Sequence, residues 1–268
     1  MQRSKLSLLT HGFTAVLITL LAACSSAPVD KTAKMTPEEL YADAKDESNN
    51  GQYEKAIGLL DKLEVRAAGT PLAQQAQLDK AYLYYKTAEP ATALATLERY
   101  IKLYPASPAM DYALYLKGVI NFNDDLGMFS SITRQDLSER DQKASKDSYQ
   151  AFQELVNRFP NSRYAEDARQ RMNYIVISLA RYEIHVARYY YKRGAYLAAA
   201  NRAQQAINDY RGVPVTEEAL YILYKSYDAL GMAELRDDAK RVLEENYPNS
   251  TFLANGLQEP KGPWWKLW

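Results

Sequence analysis

A chain of 268 residues, 47% of them hydrophobic, is long enough to bury a sizeable core. Thirty-three basic residues balance 33 acidic ones, which argues against nucleic-acid binding and against a polybasic membrane patch. The one cysteine excludes an internal disulfide, so packing alone must hold the fold. The first predicted element is residues 1–23. Arg3 and Lys5 precede an apolar run from Phe13 to Leu21, and nothing in the first 29 residues is acidic. This is the layout of a secretory signal peptide, too short and wrongly flanked to span a membrane. No later apolar run reaches the roughly 20 residues a spanning helix needs.

The signal ends in Leu21-Ala22-Ala23-Cys24, which resembles a bacterial lipobox. In a lipobox the signal is cut before the cysteine, which becomes the lipidated first residue. Each buried methylene of an acyl chain contributes about 0.8 kcal/mol, so several chains on Cys24 make a durable anchor. Ser25-Ser26 follows the cysteine, where an Asp would retain a lipoprotein in the inner membrane. The resemblance therefore implies anchoring in outer-membrane lipid with the body facing the periplasm. Loss of Arg3 and Lys5 with the signal leaves 31 basic residues against 33 acidic ones. Residues 24–36 are small and polar and read as a flexible tether. It stretches at most about 43 Å at ~3.3 Å per residue.

Residues 37–255 punctuate themselves with proline. Pro71, Pro105, Pro160, Pro214 and Pro248 are spaced by 34, 55, 54 and 34 residues, two of them the tetratricopeptide period. Tyr104-Pro-Ala-Ser, Phe159-Pro-Asn-Ser and Tyr247-Pro-Asn-Ser repeat one another, as do Gly51-Gln-Tyr-Glu-Lys-Ala and Gly194-Ala-Tyr-Leu-Ala-Ala. Between these marks the apolar period is helical: Tyr53, Ala56, Ile57, Leu60 and Leu63, and again Leu94, Leu97, Ile101 and Tyr104. Thr36-Pro37-Glu38-Glu39 is a capping box with proline at the first helical position, and Thr70-Pro71 and Ser107-Pro108 repeat the pairing. The predicted fold is all-α, a tetratricopeptide-repeat solenoid of about five helix-turn-helix repeats starting near Pro37, Pro71, Pro108, Asn161 and Thr216. The third repeat is enlarged by a loop around Asn123 to Asp141. The fourth is enlarged by one long helix between Pro160 and Gly194, with an expected stripe from Ala165 through Ile175, Leu179 and Tyr182 to Tyr189. Such arrays are elongated and leave a concave groove for extended peptides or helices.

No catalytic constellation emerges. His11 leaves with the signal and His185 is a lone helical histidine, so neither a zinc site nor a Cys/His nucleophile can be assembled. Asn121, Asn123, Asp125 and Gly127 imitate a calcium loop but put Leu126 and Ile132 where Gly and Glu are required. The sequence thus points to no metal, no cofactor and no enzyme activity. What stands out is 22 tyrosines. Most suit core packing, whereas Tyr84-Tyr85, Tyr112 with Tyr115, and Tyr189-Tyr190-Tyr191 point several ways around their helices and suit a recognition surface as well. The tail, 256–268, holds Pro260, Pro263 and all three tryptophans and should not be helical. It reads equally as a segment folded back on the last repeat and as an aromatic anchor for a partner or membrane.

Lipobox, tether and five repeats together resemble the BamD (ComL) family of outer-membrane lipoproteins, which belong to the β-barrel assembly machinery. Matching text includes Gln74-Gln75-Ala-Gln-Leu-Asp79, Ala81-Tyr82-x-Tyr84-Tyr85-Lys86, Pro108-x-x-Asp111-Tyr112, Ala180-x-Tyr182-Glu183 and Arg193-Gly194-Ala195 with Asn201-Arg202. The resemblance runs from Cys24 to about Ser250, and the Trp-rich tail departs from it. It implies a non-enzymatic scaffold docked by its C-terminal repeats on the periplasmic POTRA domains of BamA. It also implies contact with the lipoproteins BamC and, where present, BamE. Gly194, Asn201 and Arg202 are the candidate BamA contacts. The N-terminal repeats are expected to receive C-terminal segments of unfolded outer-membrane proteins, with Arg66, Gln74, Gln77, Lys80, Tyr82 and Tyr85 as candidate contacts and Lys86 as a further cation. The alternative is a competence-type lipoprotein that binds peptidoglycan.

Overall fold

A computed structural model describes residues 31–122 and 142–257. Cys24, the expected loop around Asn123 to Asp141, and the tryptophans of the tail lie outside them. Among the described residues, a 3-10 turn, Lys31–Lys34, is followed by eleven α-helices: α1 Pro37–Asn49, α2 Tyr53–Arg66, α3 Pro71–Lys86, α4 Pro90–Leu103, α5 Met110–Phe122, α6 Gln142–Arg158, α7 Ala165–Lys192, α8 Tyr196–Asp209, α9 Thr216–Ala229, α10 Ala233–Asn246 and α11 Thr251–Asn255. The first ten make five successive pairs, the tetratricopeptide-repeat fold, and α11 follows the last pair. No strand occurs among the described residues.

The repeated sequence text is repeated geometry. Thr36 caps α1 as a capping box: its N–H donates to Glu39 Oε2 at 2.8 Å, and the Glu39 N–H donates to Thr36 Oγ1 at 3.2 Å. Each Tyr/Phe-Pro-x-Ser segment closes one turn, in which the serine N–H donates to the aromatic residue's carbonyl: Ser107 to Tyr104, Ser162 to Phe159 and Ser250 to Tyr247, all at 3.0 Å. Within the first, second, fourth and fifth pairs, one residue past the first helix takes the left-handed conformation. Gly51 (φ +75), Gly194 (φ +75) and Gly231 (φ +70) do so, and in the second pair Ala88 does so at φ +60. The next N–H then bonds back to the last turn: Gln52 to Glu47, Glu89 to Tyr84, Ala195 to Tyr190 and Met232 to Tyr227, at 2.8–3.0 Å. This is the Schellman termination, which satisfies helix-end carbonyls and sets the hairpin angle.

The chain divides into two compact units, up to Leu83 and from Tyr84 onward. In the first, Leu40 and Ala44 of α1 and Ala56, Leu60 and Leu63 of α2 are buried with Ala73, Ala76 and Leu78 of α3. In the second, α5 packs on α6, and α7 packs on α6, α8 and α9. Gly118 of α5 allows one close approach: a β-carbon there would lie 2.4 Å from the Phe152 ring, which is fully buried.

The long helix departs from its expected stripe. Ala165, Ala168, Ile175 and Leu179 are buried, but burial then moves to Ala180, Glu183, Ile184 and Ala187, while Tyr182 and Val186 are half-buried and Tyr189 is 52% exposed. At 28 residues, α7 is long enough to serve different neighbours along its length, and the buried face rotates between them.

Candidate functional site

The expected peptide-receiving residues do not form one exposed cluster. Lys80 of α3 is 6% exposed, its ammonium 2.5 Å from Asp61 Oδ1 and 2.9 Å from Glu64 Oε1 on α2. Burial alone would lower its pKa, but the hydrogen bonds to the two carboxylates outweigh that and hold it above the ordinary lysine value. Gln77 is buried too, and its side-chain carbonyl has no hydrogen-bond partner. The two residues expected to meet a peptide backbone and a carboxylate thus face inward. The sequence missed this because α3 is buried broadly: Ala73, Ala76, Gln77, Leu78, Lys80, Ala81 and Leu83 go around the helix rather than along one stripe. Arg66 stays exposed and donates from Nη1 to the carbonyls of Thr32 (2.7 Å) and Met35 (2.8 Å), holding the segment that leads into α1. Gln74 is half-buried and Tyr82 is 41% exposed. Tyr85, half-buried, belongs to the second unit, as does the exposed Lys86.

A polar network that the sequence did not flag crosses the same unit. Tyr41 donates to Asp79 Oδ2 at 2.9 Å, Gln75 donates to Asp79 Oδ1 at 2.9 Å, and Lys45 lies 3.7 Å from Asp79. Burial first, then the Asp79 charge and hydrogen bond, push the Tyr41 phenol up to about 12.

In the second unit, two arginines bridge helices. Arg202 of α8 donates from Nη1 to Glu183 Oε2 of α7 at 2.9 Å, and Glu183 is 4% exposed. Arg188 of α7 donates from Nε to Glu218 Oε1 of α9 at 2.7 Å, and Glu218 is buried as well. Arg202 is thus committed within its own repeat, while Asn201 beside it and Gly194 in the turn before α8 are exposed. Glu183 and Glu218 are the residues that sequence reasoning missed. The available signal was Glu183 at helical spacing from the apolar Ala180 and Ala187, an acid where burial was due.

Several tyrosines offered for recognition are packing residues. Tyr115 stacks on Tyr164 at 4.6 Å and donates to Asp167 Oδ2 at 2.9 Å, and Tyr112 meets the same Tyr164 ring at 5.7 Å. Tyr190 and Tyr191 pack against the core that α7, α8, α9 and α10 share, leaving Tyr189 as the exposed member of its triplet. A cleft of about 640 Å³ opens between α4, α5 and α6. Its floor includes Leu94, Ile101 and Leu114, and its rim charges pair with one another, Lys117 with Glu98 at 3.2 Å and Lys143 with Asp147 at 2.7 Å. Among the described residues no group of three or more His, Cys, Asp or Glu side chains is placed to hold a metal ion.

The family model YfiO, described as an outer membrane lipoprotein, matches residues 33–243. The chain belongs to the BamD family. It is 49% identical to the outer membrane protein assembly factor BamD of Neisseria meningitidis serogroup A, over 92% of this chain and 95% of that protein. It is 34% identical to the factor of the same name from Pasteurella multocida, over 94% of this chain and 96% of that protein. Among solved structures, the crystal structure of MamA aligns over 84% of this chain and 97% of that one, with 16% identity and a TM-score of 0.33. The family extent runs from before α1 into α10, ending three residues short of that helix's end, and α11 lies beyond it.

Proposed function

We propose that this protein is a periplasm-facing scaffold that assists the assembly of β-barrel proteins at the outer membrane and acts by binding alone. The observation that carries the reading is the match, over nearly the whole repeat array, to relatives named as outer-membrane protein assembly factors. Helix pairs suit the role, since a repeat array offers broad surfaces on which extended or helical partners are held without chemistry.

Attachment is assigned to acylated Cys24. The Leu21-Ala22-Ala23-Cys24 text supports it, and a lipid on the tether supplies the anchor; no helix among the described residues is long and apolar enough to cross a membrane. Cys24→Ser should then leave the outer-membrane fraction; a mature-sized variant that stays there overturns the assignment. The C-terminal repeats are assigned to BamA. Gly194 and Asn201, exposed around the turn into α8, are the contacts, and Arg202 acts by fixing α8 on α7 through Glu183. BamC and, where present, BamE are further partners. Extended C-terminal segments of unfolded barrel proteins are received on the N-terminal repeats, with Tyr82, Gln74 and Arg66 as contacts; Gln77 and Lys80 support the helix from inside. A mild-detergent pull-down of the acylated protein, followed by mass spectrometry, tests the reading. BamA and its accessory lipoproteins are expected. Recovery of peptidoglycan fragments without them would favour the cell-wall alternative.

A further inference from the structure

The exposed faces of α6 and α10 mix their charges. On α6, Lys143 pairs with Asp147 and Arg158 with Glu154; on α10, Lys240 pairs with Glu244 and Arg241 with Glu245, all one turn apart. The long helix α7 is different. From Ala168 to Arg193 the chain carries six arginines and lysines and a single acid. That acid, Glu183, is buried and held by Arg202 of α8. The outward side of this stretch is therefore basic, in a chain whose 33 basic and 33 acidic residues balance.

Most of these cations have a local reason. Arg169 pairs with Glu166 and Arg171 with Asp167 inside α7, and Arg188 reaches Glu218 of α9. Lys192 and Arg193 close the helix, where positive charge suits the end of the helix dipole, and Arg193 lies over the Tyr189 ring at 5.2 Å. Arg181 stands mid-helix and is exposed, as is His185 one turn on. They share a face with exposed aromatic rings. Tyr174, Arg181, His185, Tyr189 and Lys192 follow at steps of seven, four, four and three, and all five are exposed. The stripe from Tyr174 to Lys192 runs about 27 Å at 1.5 Å per residue. The opposite side of the same stretch is committed to the core through Ile175, Ile184 and Ala187.

We propose that this stripe of α7 binds an acidic segment of a partner polypeptide. Arg181 offers its planar fork to one carboxylate, and Lys192 with the Tyr189–Arg193 pair holds the far end. The Tyr174 and Tyr189 rings, 41% and 52% exposed, take apolar side chains set between the acids. About eight residues of extended chain, at ~3.3 Å each, cover the stripe. Charge complementarity decides the occupant: this side of α7 shows cations and no exposed acid, so it draws an acidic segment and repels a basic one. The tyrosines decide for polypeptide over lipid phosphate, because tyrosine and arginine together mark protein interfaces. With its apolar side in the core, α7 has nothing to sink into a bilayer. This surface runs back along α7 from the Gly194 turn, and its assignment does not rest on the docking of BamA there.

The test uses the mature protein in mild detergent and two fluorescein-labelled peptides of about eight residues. One alternates glutamate with leucine and tyrosine; its twin has glutamine in place of every glutamate. Fluorescence anisotropy should show the acidic peptide bound about tenfold more tightly than its twin, with the difference shrinking as salt is raised. Arg181→Glu should weaken capture of the acidic peptide about tenfold, and Arg181→Gln less, in the same direction. Lys102→Glu, the same charge change at an exposed position of α4, should leave it within about twofold. Circular dichroism and melting temperature should not move in any of the three, since both positions are exposed. Equal binding of the two peptides overturns the proposal. So does an equal loss in Arg181→Glu and Lys102→Glu, which makes the attraction a property of overall charge. Arg181-dependent binding of a soluble short-chain phosphatidylglycerol in place of the acidic peptide also overturns it, and assigns the stripe to lipid headgroups.

Discussion

Lys80 offers a choice between two roles for one ammonium. Exposed, it would meet an incoming carboxylate; in the structure it is 6% exposed and ties α3 to Asp61 and Glu64 of α2. Removing one partner of a buried pair strands the other. Asp61 keeps much of its hydration, but the Glu64 side chain is only 14% exposed. Lys80→Met should therefore lower stability in urea by on the order of 2 kcal/mol. A variant of unchanged stability that captured peptides poorly would instead return Lys80 to the binding surface. Tyr41 gives a pH signature in the same unit. Its phenol is pushed up to about 12, above the unfolded value near 10, so the native state holds the proton more tightly. The stability this contributes is complete below pH 10 and is lost as pH rises toward 12. Tyr41→Phe should make the alkaline fall of the melting temperature shallower over that window.

The hairpin turns show which parts of an element its sequence announces. Gly51, Gly194 and Gly231 mark three left-handed helix ends, and the repeated Gly-x-aromatic text made two of those turns readable. The second repeat has no such glycine, and Ala88 takes the same conformation at φ +60. A β-carbon there costs roughly 1–2 kcal/mol, partly offset because alanine has less freedom to lose from the unfolded chain. Ala88→Gly should raise stability by about 0.5 kcal/mol in chemical denaturation. A loss would mean that Ala88 makes a contact worth more than its strain. Helix pairing and the Thr36 capping box were legible because each rests on local chemistry, whereas α11 was not announced and α5 starts at Met110, two residues past the expected Pro108. The rotation of the buried face along α7 was not, since it depends on what lies alongside. Nor were the burial of Lys80 and Arg202's tie to Glu183, where a charge at a half-apolar position reads the same whether it faces water or a buried carboxylate.

At the scale of the whole array, the fold rests on small residues and near neighbours. The chain has one cysteine, so no internal disulfide ties distant repeats. In the fourth and fifth repeats the core is largely alanine: Ala187 of α7 and Ala199, Ala200, Ala203 and Ala206 of α8 are all buried, with Ala203 fully so. Such residues let helices approach closely, and they leave no room for growth. Ala203→Leu adds three carbons where none fits and should cost about 1–3 kcal/mol. A compact domain with a single core would spread that loss over all its helices. A repeat array confines it, because each helix pair is stabilised mainly by its immediate neighbours. Hydrogen exchange followed by mass spectrometry separates the two outcomes. Faster exchange is expected in α8, in α9 and in the C-terminal half of α7, with α4 and α5 keeping the protection they have in the unsubstituted chain. Uniform loss from α4 to α10 would show that the second unit unfolds as one cooperative body.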